Sequence, residues 1–182
     1  MPRLASVPLV ALGLLLSSLA APACSWPGRH PAAGPAGTAV VTHPIDGDTI
    51  AVEIGGTQEH VRLIGIDTPE SVARDRPVEC FGMEAKARLA ELLPAGTTVR
   101  LVRDVEARDR YGRLLAYVYR AEDDLDVNLL MVEEGMAESF PFEPNTTRQA
   151  EMDRAEAEAR AAGKGLWPVC GSTDVAVGPP PG

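Results

Sequence analysis

The stretch "VTHPIDGDTIAVEI" (residues 41–54) sets two carboxylates, Asp46 and Asp48, around Gly47 and then runs straight into an alternating segment. Ile50, Val52 and Ile54 alternate with Ala51 and Glu53, the period of a strand with one buried face. The preceding "TAVVTHPI" (38–45) also reads as a strand, so the Asp-Gly pair joins two strands. Taken alone, Asp-Gly is a hairpin signal. It is equally a place where a metal or acid–base site could be built, and only the rest of the chain separates the two readings.

Working outward, Gly55-Gly56 is a second turn signal, followed by "EHVRLIGI" (59–66) as a third strand. "TTVRLV" (97–102) and "RLLAYVYR" (113–120) are the remaining strand candidates, the latter rich in aromatic and apolar residues. Three helices are expected. "FGMEAKARLAELL" (81–93) places Ala85, Leu89, Leu92 and Leu93 on one face and stops before Pro94. "DVNLLMVEEG" (126–135) opens on Asp126 as N-cap and closes on Gly135, and "NTTRQAEMDRAEAEARAAG" (145–163) opens on Asn145 and stops at Gly163. Three strands joined by tight turns, a helix, two strands and two helices suggest a small antiparallel barrel with helices against one side. A mixed α+β sandwich is the competing arrangement, and periodicity alone leaves both open.

The ends of the chain have a different character. Residues 1–23 carry a single charge, Arg3, then the apolar run "VPLVALGLLLSSLAAPA", ending in the A-x-A-like Ala21-Pro22-Ala23. That is the pattern of a secretion signal, and the run is short for a membrane span. Cys24 follows the cleavage point directly and is a candidate for lipid attachment, although no Leu stands three residues before it. Residues 24–37 are rich in Pro, Gly and Ala and read as a tether, and "GSTDVAVGPPPG" (171–182) reads as a flexible tail. The folded unit is expected over 38–170, as one domain. Export to an extracellular or envelope location implies an oxidising compartment, which favours a disulfide between Cys80 and Cys170. The formal net charge is −9, and loss of Arg3 with the signal makes it −10 (−9 − 1). Such acidity argues against a protein that coats polyanions through a broad basic face, while leaving room for a small cationic site.

The ionisable residues at strand ends fall into three groups: Asp46 and Asp48 beside Thr49; Arg62, Asp67, Thr68 and Glu70 in "RLIGIDTPES" (62–71); and Arg108, Asp109, Arg110, Tyr111 and Arg113 in "RDRYGRLLAY" (108–117). Carboxylates and a Thr carbonyl from separate segments form the hard-oxygen set that Ca²⁺ accepts. Arginines beside such a site bind phosphate in a two-pronged way and never lose their charge. A nearby Glu outside the coordination sphere could orient or deprotonate a water. Each group also has a plain reading as a polar turn. Their order and combination is what carries weight, and it points to phosphodiester hydrolysis.

The stretches "IDGDTI", "RLIGIDTPE", "FGMEA", "DRYGRLLAYVY" and "VNLLMVEEGMA", in this order, resemble the staphylococcal nuclease (thermonuclease-like) family over roughly residues 38–168. The resemblance implies a five-stranded OB-fold barrel flanked by three helices. It also implies a calcium-dependent nuclease that cuts DNA and RNA and leaves 3′-phosphate ends, and a monomer is expected. By matching position, Asp48, Asp67 and the Thr68 carbonyl are the implied calcium ligands, and Asp46 acts on the metal's waters. Glu70 is the implied general base, Arg62 and Arg113 grip the phosphate, and Tyr111 lies near the nucleotide. Phe140 and Phe142 stand where the family's founding member has tyrosines against the nucleotide, which keeps a stacking surface without its hydroxyls. Glu138 and Glu143 lie near positions that are basic there, so weaker binding to long polyanions is expected. The rival reading is a non-catalytic nucleic-acid-binding OB-fold barrel. His30, His43 and His60 lack partners at metal-ligand spacing and are expected to be inert.

Overall fold

The computed structural model describes residues 37–71 and 78–176. The expected signal (1–23), residues 24–36 of the tether with Cys24, and residues 177–182 lie outside the described residues, and Gly37, placed in the tether, begins the first strand. Strands β1 (Gly37–Pro44), β2 (Thr49–Ile54) and β3 (Thr57–Leu63) form an antiparallel meander. After them come β4 (Ile66–Asp67), α1 (Gly82–Leu92), β5 (Thr98–Val102), β6 (Leu114–Arg120) and β7 (Leu125–Asp126). The order ends with α2 (Val127–Glu133), β8 (Glu138–Ser139) and α3 (Gln149–Ala161).

The sheet runs β3-β2-β1-β5-β6, and β3 pairs back onto β6, closing a five-stranded barrel of the OB type with three helices outside it. The closing β3–β6 pair is parallel, whereas the segment pattern suggested an antiparallel barrel throughout. A ring with an odd number of strands cannot alternate direction all the way round, so one seam must be parallel. Asn128, fully buried at the start of α2, reinforces that seam. Its Nδ2 donates to the Ile64 carbonyl at 2.8 Å, and its Oδ1 accepts from the Val118 N–H at 2.8 Å. The barrel interior takes one face of each strand: Ile50, Val52, Val61, Leu63 and Val118 are all fully buried there.

Asp126 caps α2 as expected, accepting from the Leu129 N–H at 3.1 Å. Asn145 does not cap α3, which begins after Arg148. Its side chain is fully buried and accepts instead from the Glu106 N–H at 2.7 Å, a tertiary contact in place of a local cap. The tail is also corrected in part. Residues 171–176 are anchored rather than loose: Cys80 and Cys170 form a disulfide with a Cα–Cα distance of 5.9 Å, and the Cys80 N–H donates to the Val175 carbonyl at 2.7 Å. The cysteines are 90 residues apart, so closing that loop is worth about 4–5 kcal/mol in the chain-entropy model. The folded unit therefore runs past Cys170. Trp167 packs with Ala159 and Leu166, under the Arg160 guanidinium at 4.1 Å.

Candidate active site

Strand register brings the three sequence groups to one mouth of the barrel. Thr49 on β2 faces Arg62 on β3, and Arg62 faces Leu115 on β6. The chain just before β2 therefore carries Asp48 to the same end as Arg62, and the chain just before β6 carries Arg113 there. A cavity of about 480 Å³ at this end is lined by Asp46, Asp48, Arg62, Asp67, Glu70 and Arg113, together with Thr68.

Gly47 makes this convergence possible. A Cβ there would stand 2.6 Å from Thr68 Oγ1 and 2.9 Å from Thr68 Cβ, so only glycine lets the Asp46–Asp48 loop close over the second group. Gly82 does the same at the start of α1, where a Cβ would lie 2.6 Å from the Glu70 carbonyl oxygen. The Asp-Gly pair of the opening stretch is thus a turn and a point of close contact at once.

Arg62 is buried beneath the site, with 6% of its surface exposed. Its Nη1 donates to the carbonyls of Leu63 (2.6 Å) and Ile66 (2.9 Å), and its Nη2 reaches Asp48 Oδ2 (2.9 Å) and Asp67 Oδ1 (2.7 Å). One guanidinium thus holds together the two carboxylates that the sequence singled out as ligands. It does not neutralise them. Burial pushes Asp67 up to about 6 despite Arg62, and the charges of Asp48, Asp174 and Glu138 add to the rise. Asp46 sits below its ordinary value: burial works against this, but hydrogen bonds from Glu70, from the Ser71 hydroxyl and N–H, and from the Gly47 N–H outweigh it. The Ser71 hydroxyl lies 2.5 Å from Asp46 Oδ1. Glu79 grips the Glu70 backbone in both directions, accepting from its N–H at 2.7 Å and donating to its carbonyl at 2.9 Å.

Arg113 is held from the other side. Its Nε donates to Asp109 Oδ2 at 2.6 Å, while Asp109 Oδ1 accepts from the N–H groups of Tyr111 and Arg113, both at 2.9 Å. The Thr49 hydroxyl donates to Asp48 Oδ1 at 2.8 Å and lies 3.5 Å from Arg113 Nη1, between the two halves.

A cation fits this arrangement by the chemistry of its donors. Carboxylate oxygens dominate the lining, their negative charge exceeds what the two guanidiniums supply, and among the described residues the buried Thr68 hydroxyl has no hydrogen-bond partner. Among the described residues no group of three or more His, Cys, Asp or Glu side chains is preassembled for a metal. The expected set, with two carboxylates and a carbonyl, is of a different kind.

The aromatic residues stand apart. Tyr111, Phe140 and Phe142 do not line the cavity. Tyr111 is exposed, with the Arg110 and Arg113 guanidiniums 4.7 and 5.6 Å from its ring centre. Phe140 is exposed, and Phe142 is half-buried against the core. Conversely, His60, Glu79 and Asp174 line the cavity although sequence reasoning gave them no role. His60 was legible in principle, since it shares the β3 face of Arg62 at a spacing of two.

The family model described as staphylococcal nuclease homologue matches residues 60–169. The thermonuclease of Staphylococcus hyicus is 38% identical over 127 residues, covering 70% of this chain and 73% of that protein. The thermonuclease of Staphylococcus intermedius is 37% identical over 128 residues, covering 70% and 74%. Endonuclease YncB of Bacillus subtilis (strain 168) is 36% identical over 124 residues, covering 68% of this chain and 58% of its own. With the closed barrel and the order of its motifs, these matches place the chain in the staphylococcal nuclease family of phosphodiester hydrolases.

Proposed function

We propose that the protein is an exported, calcium-dependent nuclease that hydrolyses the phosphodiester bonds of DNA and RNA and leaves 3′-phosphate ends. The observation that supports this most directly is the shared cavity: two arginines and six carboxylates, from segments up to 128 residues apart (Asp46 to Asp174), face one space. In this reading Asp48, Asp67 and the Thr68 carbonyl hold calcium, with Asp46 acting on its waters. The bound ion supplies positive charge against the phosphate oxygens. Arg62 and Arg113 donate to those oxygens, and the charge they face grows as the phosphorus becomes five-coordinate, so they favour that state over the ground state. Glu70 takes the proton of the attacking water. Tyr111 and Phe140 offer exposed rings to a base, and Phe142 only the edge that the core leaves open. Residues 1–23 would direct export, Cys24 would allow a lipid anchor, and the Cys80–Cys170 bond suits an oxidising compartment. The functional unit would be a monomer.

The test is digestion of single-stranded DNA in calcium and in excess chelator, with the product ends labelled before and after phosphatase. Chelation is expected to lower the rate by at least about a hundredfold, the scale set by losing the principal electrostatic stabiliser. Undiminished activity in chelator would overturn the calcium assignment.

Asp109 gives a second expected result. Asp109→Ala should lower kcat about tenfold, because Arg113 keeps its charge but loses the partner that aims it. The same clamp has a pH signature. Burial works against the Asp109 charge, but Arg113 and two backbone N–H groups overcome this and hold it below its ordinary 3.8. A depressed carboxylate contributes stability that is complete above the unfolded value and is lost as pH falls through the folded one. Acid titration of unfolding should therefore show a loss below about pH 4 that is smaller in Asp109→Ala than in the wild type.

A further inference from the structure

The segment after Cys170 turns back toward the cavity and is tied down at several points. Cys170 is bonded to Cys80, the Cys80 N–H donates to the Val175 carbonyl at 2.7 Å, and Ala176 pairs with Glu79 in an antiparallel bridge. Thr173 is buried, at 2% exposure, and donates through its N–H (3.0 Å) and hydroxyl (3.2 Å) to the Glu138 carboxylate. Both anchors belong to the site's own framework. Glu79 grips the Glu70 backbone, and Glu138 is the β8 residue paired with Asp67 on β4. Asp174, between two anchored neighbours, is exposed and lines the cavity that holds Arg62 and Arg113.

The geometry points to Asp174 as a specificity-determining residue, carried into the cavity wall by a disulfide-tethered strap, whose carboxylate disfavours the phosphates flanking the scissile one and so selects short oligonucleotides over long polymers. This rests on the nuclease reading above. The scissile phosphate meets two guanidiniums, but its neighbours along the strand meet the wall. A carboxylate there repels each of them, and inside a cleft that repulsion is screened less than in open solvent. A dinucleoside monophosphate has no neighbouring phosphate to repel. The formal charge of −9 means that little elsewhere on the chain offsets the effect at long range.

The test compares wild type, Asp174→Asn and Asp174→Lys as full chains at saturating calcium, on long single-stranded DNA and on a dinucleoside monophosphate. Asp174 is exposed, so neither variant threatens the fold. Asp174→Asn should raise the polymer-to-dinucleotide ratio of kcat/KM about fivefold, and Asp174→Lys further, with the change entering through KM and shrinking in high salt. An unchanged ratio, or an equal shift on both substrates, overturns the inference and leaves the nuclease reading standing. A raised calcium half-saturation with a fall in kcat also overturns it, since Asp174 would then serve the metal. If the wild type hydrolyses neither substrate, the nuclease reading falls and the inference falls with it.

Discussion

Arg62→Ala should lose hydrolysis and stability together, and the two losses have separate causes. The guanidinium is buried, its Nη1 donating to two main-chain carbonyls and its Nη2 facing Asp48 and Asp67. Removing it leaves two neighbouring carboxylates without their shared cation. Breaking a buried pair in this way costs about 3–5 kcal/mol. The rate loss comes from the phosphate: one fixed donor to the developing charge is worth roughly a hundred- to a thousandfold in kcat. Calcium should restore part of the stability by facing the same carboxylates, but not the rate. Arg62→Lys separates the effects, since a lysine keeps one charge near Asp48 and Asp67 but cannot also reach both carbonyls. It should fold better than the alanine variant and still turn over at least about a hundredfold more slowly than the wild type. Urea unfolding with and without calcium, alongside initial rates on single-stranded DNA, reads both quantities. A well-folded Arg62→Lys variant with near wild-type kcat would remove Arg62 from the phosphate.

Where the sequence is periodic, the fold could be read from it. Ile50 and Val52 announce β2 because they alternate into the barrel interior, although Thr49 and Ala51 on the other face are covered as well, and the helix over 81–93 follows from its apolar face and Pro94. The convergence of Asp48, Arg62, Asp67 and Arg113 was not visible in spacing. It depends on register across β2, β3 and β6, and only the order of the motifs stood in for it. Asn145 misled because its side chain is buried and turned to a tertiary donor, the Glu106 N–H, instead of capping the helix. Asp174 was hidden for a different reason. Its surroundings, "GSTDVAVGPPPG", have the composition of a loose tail, and the order of residues 171–176 comes from a disulfide, one buried threonine and main-chain hydrogen bonds. None of these leaves a period in the sequence.

Glu70→Gln should remove most of the hydrolysis while leaving the fold nearly untouched. The residue's backbone is held by Glu79, and the first turn of α1 packs against its carbonyl at Gly82; neither contact uses the side chain. The carboxyl group shares a hydrogen bond, and hence one proton, with Asp46, so Glu70 acts as the base in the state where that proton has left the pair. A glutamine amide can donate to Asp46 in the same place, so that contact survives and stability should change by less than about 1 kcal/mol. What the amide cannot do is accept a proton from water. Loss of a positioned general base lowers the rate by about 10²–10⁴. The loss should appear in kcat, with KM for single-stranded DNA near the wild-type value, because Arg62 and Arg113 still hold the phosphate. The pH profile of kcat adds a second readout: the limb that reports ionisation of the base should disappear in the variant. A Glu70→Gln protein that keeps both the wild-type rate and that limb would assign the proton transfer to another group, with Asp46, one hydrogen bond away, the first to examine.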